Sequence, residues 1–557
     1  LAFGGKLFHG APSVGSLMPA VQMPSDPGCR FDNRATSIAE ALSQDGPTRG
    51  DSIQSSCGDF IRRGVIFALE SNIAGANVAP IGSGGYPAFT HWPKWNDLTH
   101  QKMWIDWIRR SWEGGQRVMV ALSHNNRTLA ELLGGGGPIS GVTNDKASSD
   151  LQIEEIKTLV AANSDFMAVA STPAELHSIV QGGRLAVVLG VEIDKIGDFN
   201  TNAPPSAQTI DAEINRLHAQ GVRYILPIHL TDNAFGDTAI YNPLFNIVNW
   251  RENAGFWTVG CAPEADEIGF RSVNFPSSLN PFIPPGMPSP PTAPNCQILK
   301  PAGPFFLGHL NARTTNGLTS LGEYTVRALM RRGIIIDIDH MSNRAVNRTL
   351  SIANGIAGGG YPVMSGHSGV RNRLSTTHNA ENSRTTTQLA RIACLGGMFG
   401  LGTDGARAVD WTTEYALGYD TMRRAFAPNG LCPSADPLGG TSFLGLGTDA
   451  NSLVLTPRPT MTGTTTPRFS VIYNPGDPLN NGVTPLIRSS TGTRTWDYNF
   501  DGVAHYGMFL DFLRDVRTLP ANATMNGRQI VDDQMMYGAE RFYRMWRKAE
   551  AQKVMVP

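Results

Sequence analysis

"GIIIDIDHMS" runs from Gly333 to Ser342, and its order of side chains decides how the whole chain is read. Ile334, Ile335 and Ile336 suit a strand covered on both faces, and Asp337, Asp339 and His340 follow with no turn signal between them. A buried strand that runs into two acids and a histidine carries polar groups to one end of a sheet. "YPVMSGHSG", from Tyr361 to Gly369, repeats the design and ends on His367.

Outward from these two runs, further short apolar segments read as strands: 117–123, 184–193, 222–230, 394–401 and 443–449. Amphipathic segments lie between them. "DAEINRLHAQG" (211–221) ends on a capping glycine, and "SLGEYTVRALMRRG" (320–333) opens on a Ser320/Glu323 capping box. "YGAERFYRMWRKAEAQ" (537–552) reads as a last helix. Strand and helix in alternation predict an α/β fold, a TIM (β/α)8 barrel with long loop insertions. The seven strand candidates are one short of closure; "GVIFAL" (64–69), or a first strand upstream of Leu1, would supply the eighth. One domain over 1–557 is expected, with insertions at about 238–305 and 451–500, where Pro, Thr, Gly and Asn accumulate.

The formal net charge is −1, and 17% of residues are charged. That balance gives no basic face for a nucleic acid. No apolar run reaches the length of about 20 residues that a membrane span needs. Six cysteines (29, 57, 261, 296, 394, 432) fit no zinc-binding spacing; paired as neighbours they would close three loops, with six free thiols as the alternative. Asn126, Asn347 and Asn522 begin N-x-T sequons. Few charges and an even cysteine count lean towards an exported protein, periplasmic or extracellular.

In an α/β barrel the C-terminal strand ends converge on one mouth. Glu192, His229, His340, His367 and Asp449 all stand at such ends, and His124 follows the first candidate strand. A single histidine at a strand end is more often structural than ligating. Five polar residues at equivalent ends are costly to bury unless they bind something or one another. Carboxylate with imidazole suits zinc, with manganese or iron as alternatives.

At these residues the chain resembles the membrane dipeptidase-like family, peptidase family M19 of the amidohydrolase superfamily. The likeness runs from about residue 184 to the C-terminus. It is carried by "GVRYILPIHLTDNAFGD", "GLTSLGEYTVRALMRRGIIIDIDHMS", "YPVMSGHSGVRN" and "LGLGTD", in that order. The resemblance implies a metal-dependent hydrolase that cleaves an amide or peptide bond through a metal-activated hydroxide. It implies one or two zinc ions, with Glu192 bridging and His340 and His367 as ligands of the second. Asp449 would be the acid/base, and His229 would face the substrate carbonyl. Asp337 and Asp339, read from the residues themselves, either orient His340 or, more commonly for such acids, serve a purely structural hydrogen-bonding role.

The family's H-x-D or H-x-H pair on its first strand is not found; His9 in "FGGKLFHGAPS" is the weaker candidate for it. His505 in "FDGVAHYG" (500–507) could return to the mouth or sit in a surface loop. Arg371, Arg373 or His378 would occupy the place of the family's carboxylate-binding arginine. The expected partner is a small-molecule or dipeptide-like substrate, and a homo-oligomer stays open. Two other readings remain: a lactonase or other non-peptide hydrolase, and an inactive exported binding protein on the same fold.

Overall fold

The computed structural model describes residues 77–78, 93–98, 102–134, 143–262, 268, 286–289, 307–309, 314, 316–371, 379–433, 435–439, 442–451, 454–459, 473, 486–491, 494–520 and 525–557. Eight strands form one parallel sheet: β1 (Val118–Asn125), β2 (Met167–Val169), β3 (Leu185–Ile193), β4 (Val222–Leu226), β5 (Ile335–Asp337), β6 (Val363–Ser368), β7 (Met398–Gly402) and β8 (Leu444–Gly447). Their order is β8-β7-β6-β5-β4-β3-β1, and β2 also pairs with β3. Helices alternate with them: α1 (Asp145–Ala162), α2 (Pro173–Gln181), α3 (Ala207–Ala219), α4 (Ser320–Met330), α5 (Asn343–Asn354), α6 (Thr386–Cys394) and α7 (Ala408–Arg424). α8 (Phe509–Thr518) and α9 (Gly538–Gln552) follow. The curled parallel sheet with its alternating helices is a TIM-barrel-like α/β fold, as expected. Among the described residues β1 and β8 are its two ends and do not pair. Residues 64–69 lie outside the described part.

All seven expected strands are present. The three-residue β2 was not foreseen, because it is too short to show any alternation. β3 explains the Leu/Val-rich run: all nine residues are buried, since neighbours cover both edges and both faces. β1 differs. Val118 to Leu122 are half-buried and only Ser123, His124 and Asn125 are enclosed. Its open edge and that of β8 border one cavity of about 1170 Å³, walled further by α8 and α9.

The helix over 320–333 is capped one residue earlier than expected: Thr319, not Ser320, accepts from the Gly322 N–H. Glu323 instead forms a two-pronged ion pair with Arg348, at 2.6 and 2.7 Å. Gly221 closes the loop after α3 with φ of +96°, a conformation that glycine adopts without strain. Cys394 and Cys432 are joined, one of the three expected pairs, and Cys261 is also disulfide-bonded. Within 238–305 the described part holds a helix, Leu244–Asn253, and a strand, Val259–Cys261, paired with Leu307–His309 outside the sheet. Within 451–500 a small antiparallel pair joins Ser490–Thr491 to Arg494–Thr495. No helix among the described residues is long and apolar enough to cross a membrane.

Candidate metal centre

Parallel register brings the polar strand ends together. His124 pairs with Glu192 across β1 and β3, and Glu192 with Leu226 across β3 and β4. His229 lies just past β4, His340 past β5, and His367 in the last turn of β6. The result is a compact cluster. His340 Nε2 and His367 Nε2 are 2.9 Å apart, and they stand 3.1 and 3.3 Å from Glu192 Oε1. His229 Nε2 is 3.8 Å from the same oxygen and 3.1 Å from His124 Nε2.

These spacings are what a cation site requires. Donor atoms about 2.0–2.1 Å from a tetrahedral ion stand about 3.3–3.4 Å from one another. Glu192 Oε1 is buried among three imidazole nitrogens, 3.1 to 3.8 Å away. The donor set, one carboxylate oxygen and imidazole nitrogens, therefore fits zinc, manganese or iron(II).

The backbone is bent to present these groups. His340 has φ of +62° and Asp449 +42°, conformations that cost energy in residues other than glycine and persist where the surroundings fix them. The His340 turn is fixed on both sides. Its N–H donates to Asn382 Oδ1 at 2.9 Å, and its carbonyl accepts from the Ala239 N–H at 2.7 Å and Thr238 Oγ1 at 3.1 Å. Tyr241 Oη stands 3.1 Å from His340 Nδ1, which turns Nε2 towards Glu192.

Of the two roles open to Asp337 and Asp339, the structure shows hydrogen-bonding support, and it goes to β6 and His367, not to the His340 ring. Asp339 Oδ2 accepts from the His367 N–H at 2.7 Å and lies 3.7 Å from His367 Nδ1, while its other oxygen accepts from Ser365 Oγ. Asp337 accepts from Tyr224 Oη at 2.5 Å and from the Gly366 N–H at 3.1 Å. Gly366 is required there: a Cβ would stand 2.4 Å from Tyr224 Oη and 2.5 Å from Asp337 Oδ2. Asp337, Asp339 and His367 also gather closely enough to hold an ion. The acids' oxygens are already accepting from backbone and hydroxyl donors, so these two act as supports for His367.

The electrostatics match a site built for positive charge. Burial works to raise Glu192, but the His367, His340, His124 and His229 imidazoles hold it well below the usual carboxylate range. His340 is driven down to about 4 by burial and by the neighbouring His229 and His367, so it is neutral at pH 7. Burial opposes charge on His367, and Glu192, Asp449 and Asp339 outweigh it, to about 10. That proton balances carboxylates whose charge a bound cation would balance instead. Asp449 is pushed up to about 6 by burial, with Glu192 adding to the shift.

The structure thus gathers Glu192, His340 and His367, with His229 beside them. Asp449 lines the same cavity as Glu192 and His367 but is in none of the close ligand groups. Two other expectations are corrected. His505 does not return to the mouth: it is buried and stacked on Trp107 at 4.2 Å, with Ser489 Oγ 3.0 Å from Nε2. Arg371 is not a carboxylate clamp: it is buried and donates to the Glu381 and Ser383 carbonyls and to Asn343. His9, Arg373 and His378 lie outside the described residues. Asn126 of the first sequon is buried and donates to Asp194 at 2.6 Å, so it offers no glycan acceptor in this fold.

Three participants were not assigned from sequence. His124 was noted but given no role. Asp194 holds His229 through Nδ1 at 3.3 Å and accepts from the Thr231 N–H at 2.7 Å. It stands two residues past Glu192, hence on the same face of the strand, a signal that could have found it. Tyr241 lies in an insertion and gave no sequence signal.

A curled parallel sheet thus carries at its strand ends a Glu/His cluster placed closely enough to hold a metal ion. Residues 307–401 match the model of the Membrane dipeptidase family (Peptidase family M19). The match contains His340 and His367 and leaves Glu192, His229 and Asp449 outside it. The match spans two of the motifs that carry the resemblance, and the family it describes is one of dipeptidases. The chain is also similar to an amidohydrolase from Pseudomonas aeruginosa (13% identity, TM-score 0.41, 80% of this chain and 92% of that one). It is similar to the probable dipeptidase PvdM from the same organism (12%, TM-score 0.40, 88% and 99%). A third likeness is to a metallo peptidase from Rhodobacter sphaeroides liganded with a phosphinate mimic of the dipeptide L-Ala-D-Ala (12%, TM-score 0.36, 63% and 78%). Likenesses this distant carry no inference about chemistry. No curated protein sequence matches.

Proposed function

We propose that this chain is a zinc-dependent, dipeptidase-like hydrolase of amide or peptide-like bonds, with Glu192, His340 and His367 holding the ion. The observation that carries this reading is the mutual 2.9, 3.1 and 3.3 Å spacing of those three donor atoms. A bound cation there supplies Lewis-acid polarisation of a carbonyl and makes water acidic enough to act at neutral pH. The protein's residues do the rest. Glu192 stays ionised and His340 neutral, the states in which they ligate. Asp449, at about 6, gives up and regains a proton near neutrality, as an acid/base that serves a leaving amine must. The cavity of about 1170 Å³ is large enough for a dipeptide-sized substrate.

Elemental analysis of the purified protein should find zinc, and chelator should abolish hydrolysis of a dipeptide panel. Glu192→Gln should keep the fold and lose metal; unchanged metal content in that variant removes the basis of the reading. One observation favours a second reading, a lactonase or other non-peptide hydrolase. Arg371 is spent on backbone carbonyls, so it does not supply a clamp for a dipeptide carboxylate. Lactones and esters assayed beside the dipeptides separate the two. The Cys394–Cys432 bridge supports placing the protein in an exported, oxidising compartment, which cell fractionation tests.

A further inference from the structure

Tyr241 lies in the insertion after β4, and the proposed reaction gives it no task. Its hydroxyl oxygen stands 3.1 Å from His340 Nδ1. Its ring lies 5.8 Å from the His340 ring, which His229 flanks at 4.8 Å. We infer that Tyr241 is a catalytic residue: its O–H donates to the attacked carbonyl oxygen as negative charge develops there, alongside His229, which the family resemblance sets against the same carbonyl. This rests on the reading above, because it takes His340 as a ligand through Nε2.

A neutral imidazole carries a single N–H. His340 turns Nε2 to Glu192 and His367, at 3.1 and 2.9 Å. In the ligating state its hydrogen is therefore on Nδ1, and Tyr241 Oη accepts it, the partner that a ligating histidine needs. The phenol's own hydrogen is then not used on His340, and among the described residues Oη has no second hydrogen-bond partner. Burial, and after it the carboxylates of Asp449, Glu192 and Asp194, hold that phenol well above the usual tyrosine value. It stays a donor wherever the cluster works. Asp449 bears on it most strongly of the three, so the O–H is on the side of the cluster where the acid/base of the proposed reaction acts.

The phenol is also held in place. The Ala239 N–H donates to the His340 carbonyl at 2.7 Å. The Ile240 N–H donates to Glu381 Oε2 at 2.9 Å, and the Ile240 carbonyl accepts from the Glu381 N–H at 3.3 Å. Glu381 Oε1 in turn accepts from the Asn343 N–H at 2.9 Å, one turn of chain past His340. On the far side the Tyr241 ring packs on Phe245 at 5.2 Å, in the helix Leu244–Asn253. The residues before Tyr241 are thus tied to the His340 turn, and the helix after it supplies the ring's packing partner. A donor fixed before reaction needs no reorganisation when charge appears on the carbonyl oxygen. Tyr241 keeps its proton throughout, and no bond to it forms or breaks.

Tyr241→Phe separates this from a task in holding His340 alone, since it keeps the ring on Phe245 and removes only the hydroxyl. Zinc affinity, read by competition with a chromophoric chelator, is expected to fall by about 10–100-fold, the usual cost of losing the partner of a ligating histidine. Saturating zinc makes that loss good. Kinetics are then taken at saturation on the fastest substrate of the dipeptide, lactone and ester panel, with kcat expected to fall by about 10²–10³-fold, the range for one oxyanion donor. KM should stay at the wild-type value, because the bond is made in the transition state. The visible absorption of the cobalt(II)-loaded variant should match that of the wild type, which shows the ligands undisturbed. Recovery of wild-type kcat at saturating zinc makes Tyr241 a support of His340 and overturns the assignment, while leaving the proposed function standing. Wild-type zinc affinity in the variant overturns it too, because Tyr241 would then not be the acceptor for Nδ1. A changed cobalt spectrum or a lost fold shows the hydroxyl to be structural and has the same consequence. No zinc in the wild type, or no hydrolysis of any panel member, removes the proposed function and this inference with it.

Discussion

His367 and His505 are both enclosed imidazoles, 8% and 0% exposed, and motif similarity suggests the barrel mouth for each. Their surroundings are opposite. His367 has Glu192, Asp339 and Asp449 around it, and its charged form is favoured. His505 lies between Trp107 and Trp496, at 4.2 and 4.5 Å, and burial with the nearby Arg110 cation drives it well below the usual histidine value. One ring is part of a charge cluster at strand ends, and the other is a flat packing element with a polar tip. What separates a candidate ligand from a core histidine here is the neighbouring carboxylates, not burial.

The largest effect should come from the charge cluster. Asp449→Asn should lower kcat by about 10²–10⁴-fold, the range for losing a general acid/base. Bound zinc measured by elemental analysis should stay at the wild-type level. His505→Phe in the same assay should leave kcat unchanged, because that ring packs on Trp107 and Trp496 and bonds to Ser489, apart from the Glu/His cluster. A loss of activity in His505→Phe with the fold intact would collapse the distinction. Next in size is His505→Ala. Removing a buried ring from between two tryptophans should cost about 3 kcal/mol in denaturant unfolding, with metal content unaltered.

How far the chain could be read from its sequence follows the same division. β3, β5 and β6 were legible because long runs such as "LAVVLGVEI" announce strands buried on both faces, and their polar ends are consecutive with them. Glu192, His340 and His367 could be placed at one mouth of the sheet for that reason. His505 was misplaced because its pocket is assembled from Trp107 and Trp496, one of them hundreds of residues away, and no local pattern carries that contact. Arg371 misled in the same way: the carbonyls of Glu381 and Ser383 that absorb it belong to a loop whose path only the fold determines. Tyr241 was hidden by its position inside an insertion. Contacts that follow from strand periodicity were readable, and contacts made by loops closing on one another were not.

A smaller effect sharpens the carboxylate side. The Asp339 carboxylate bonds to the His367 backbone and faces its ring, so Asp339→Asn should loosen that ligand first. A fall of about 10–100-fold in zinc affinity is expected, the usual cost of losing a carboxylate that orients a ligating histidine. Competition with a chromophoric chelator reads it directly. Affinity equal to wild type would make Asp339 a support of the β6 backbone alone.

The least of these effects is on acid stability, and it isolates His505. Its folded-state pKa lies below the unfolded value of about 6.5, so the unfolded chain binds the proton first. The His505 contribution to stability is therefore complete above pH 6.5 and is lost as pH falls towards the folded-state value, by at most about 1.4 kcal/mol per pH unit. His124 and His340 are shifted the same way, so the wild-type slope alone is not diagnostic. The difference between wild type and His505→Phe is. Phenylalanine keeps the stack on Trp107 and cannot take up a proton, so the variant should lose less stability between pH 6.5 and pH 5 than the wild type does. Parallel curves over that interval would mean that His505 is protonated in the folded protein, and that its aromatic pocket does not exclude charge after all.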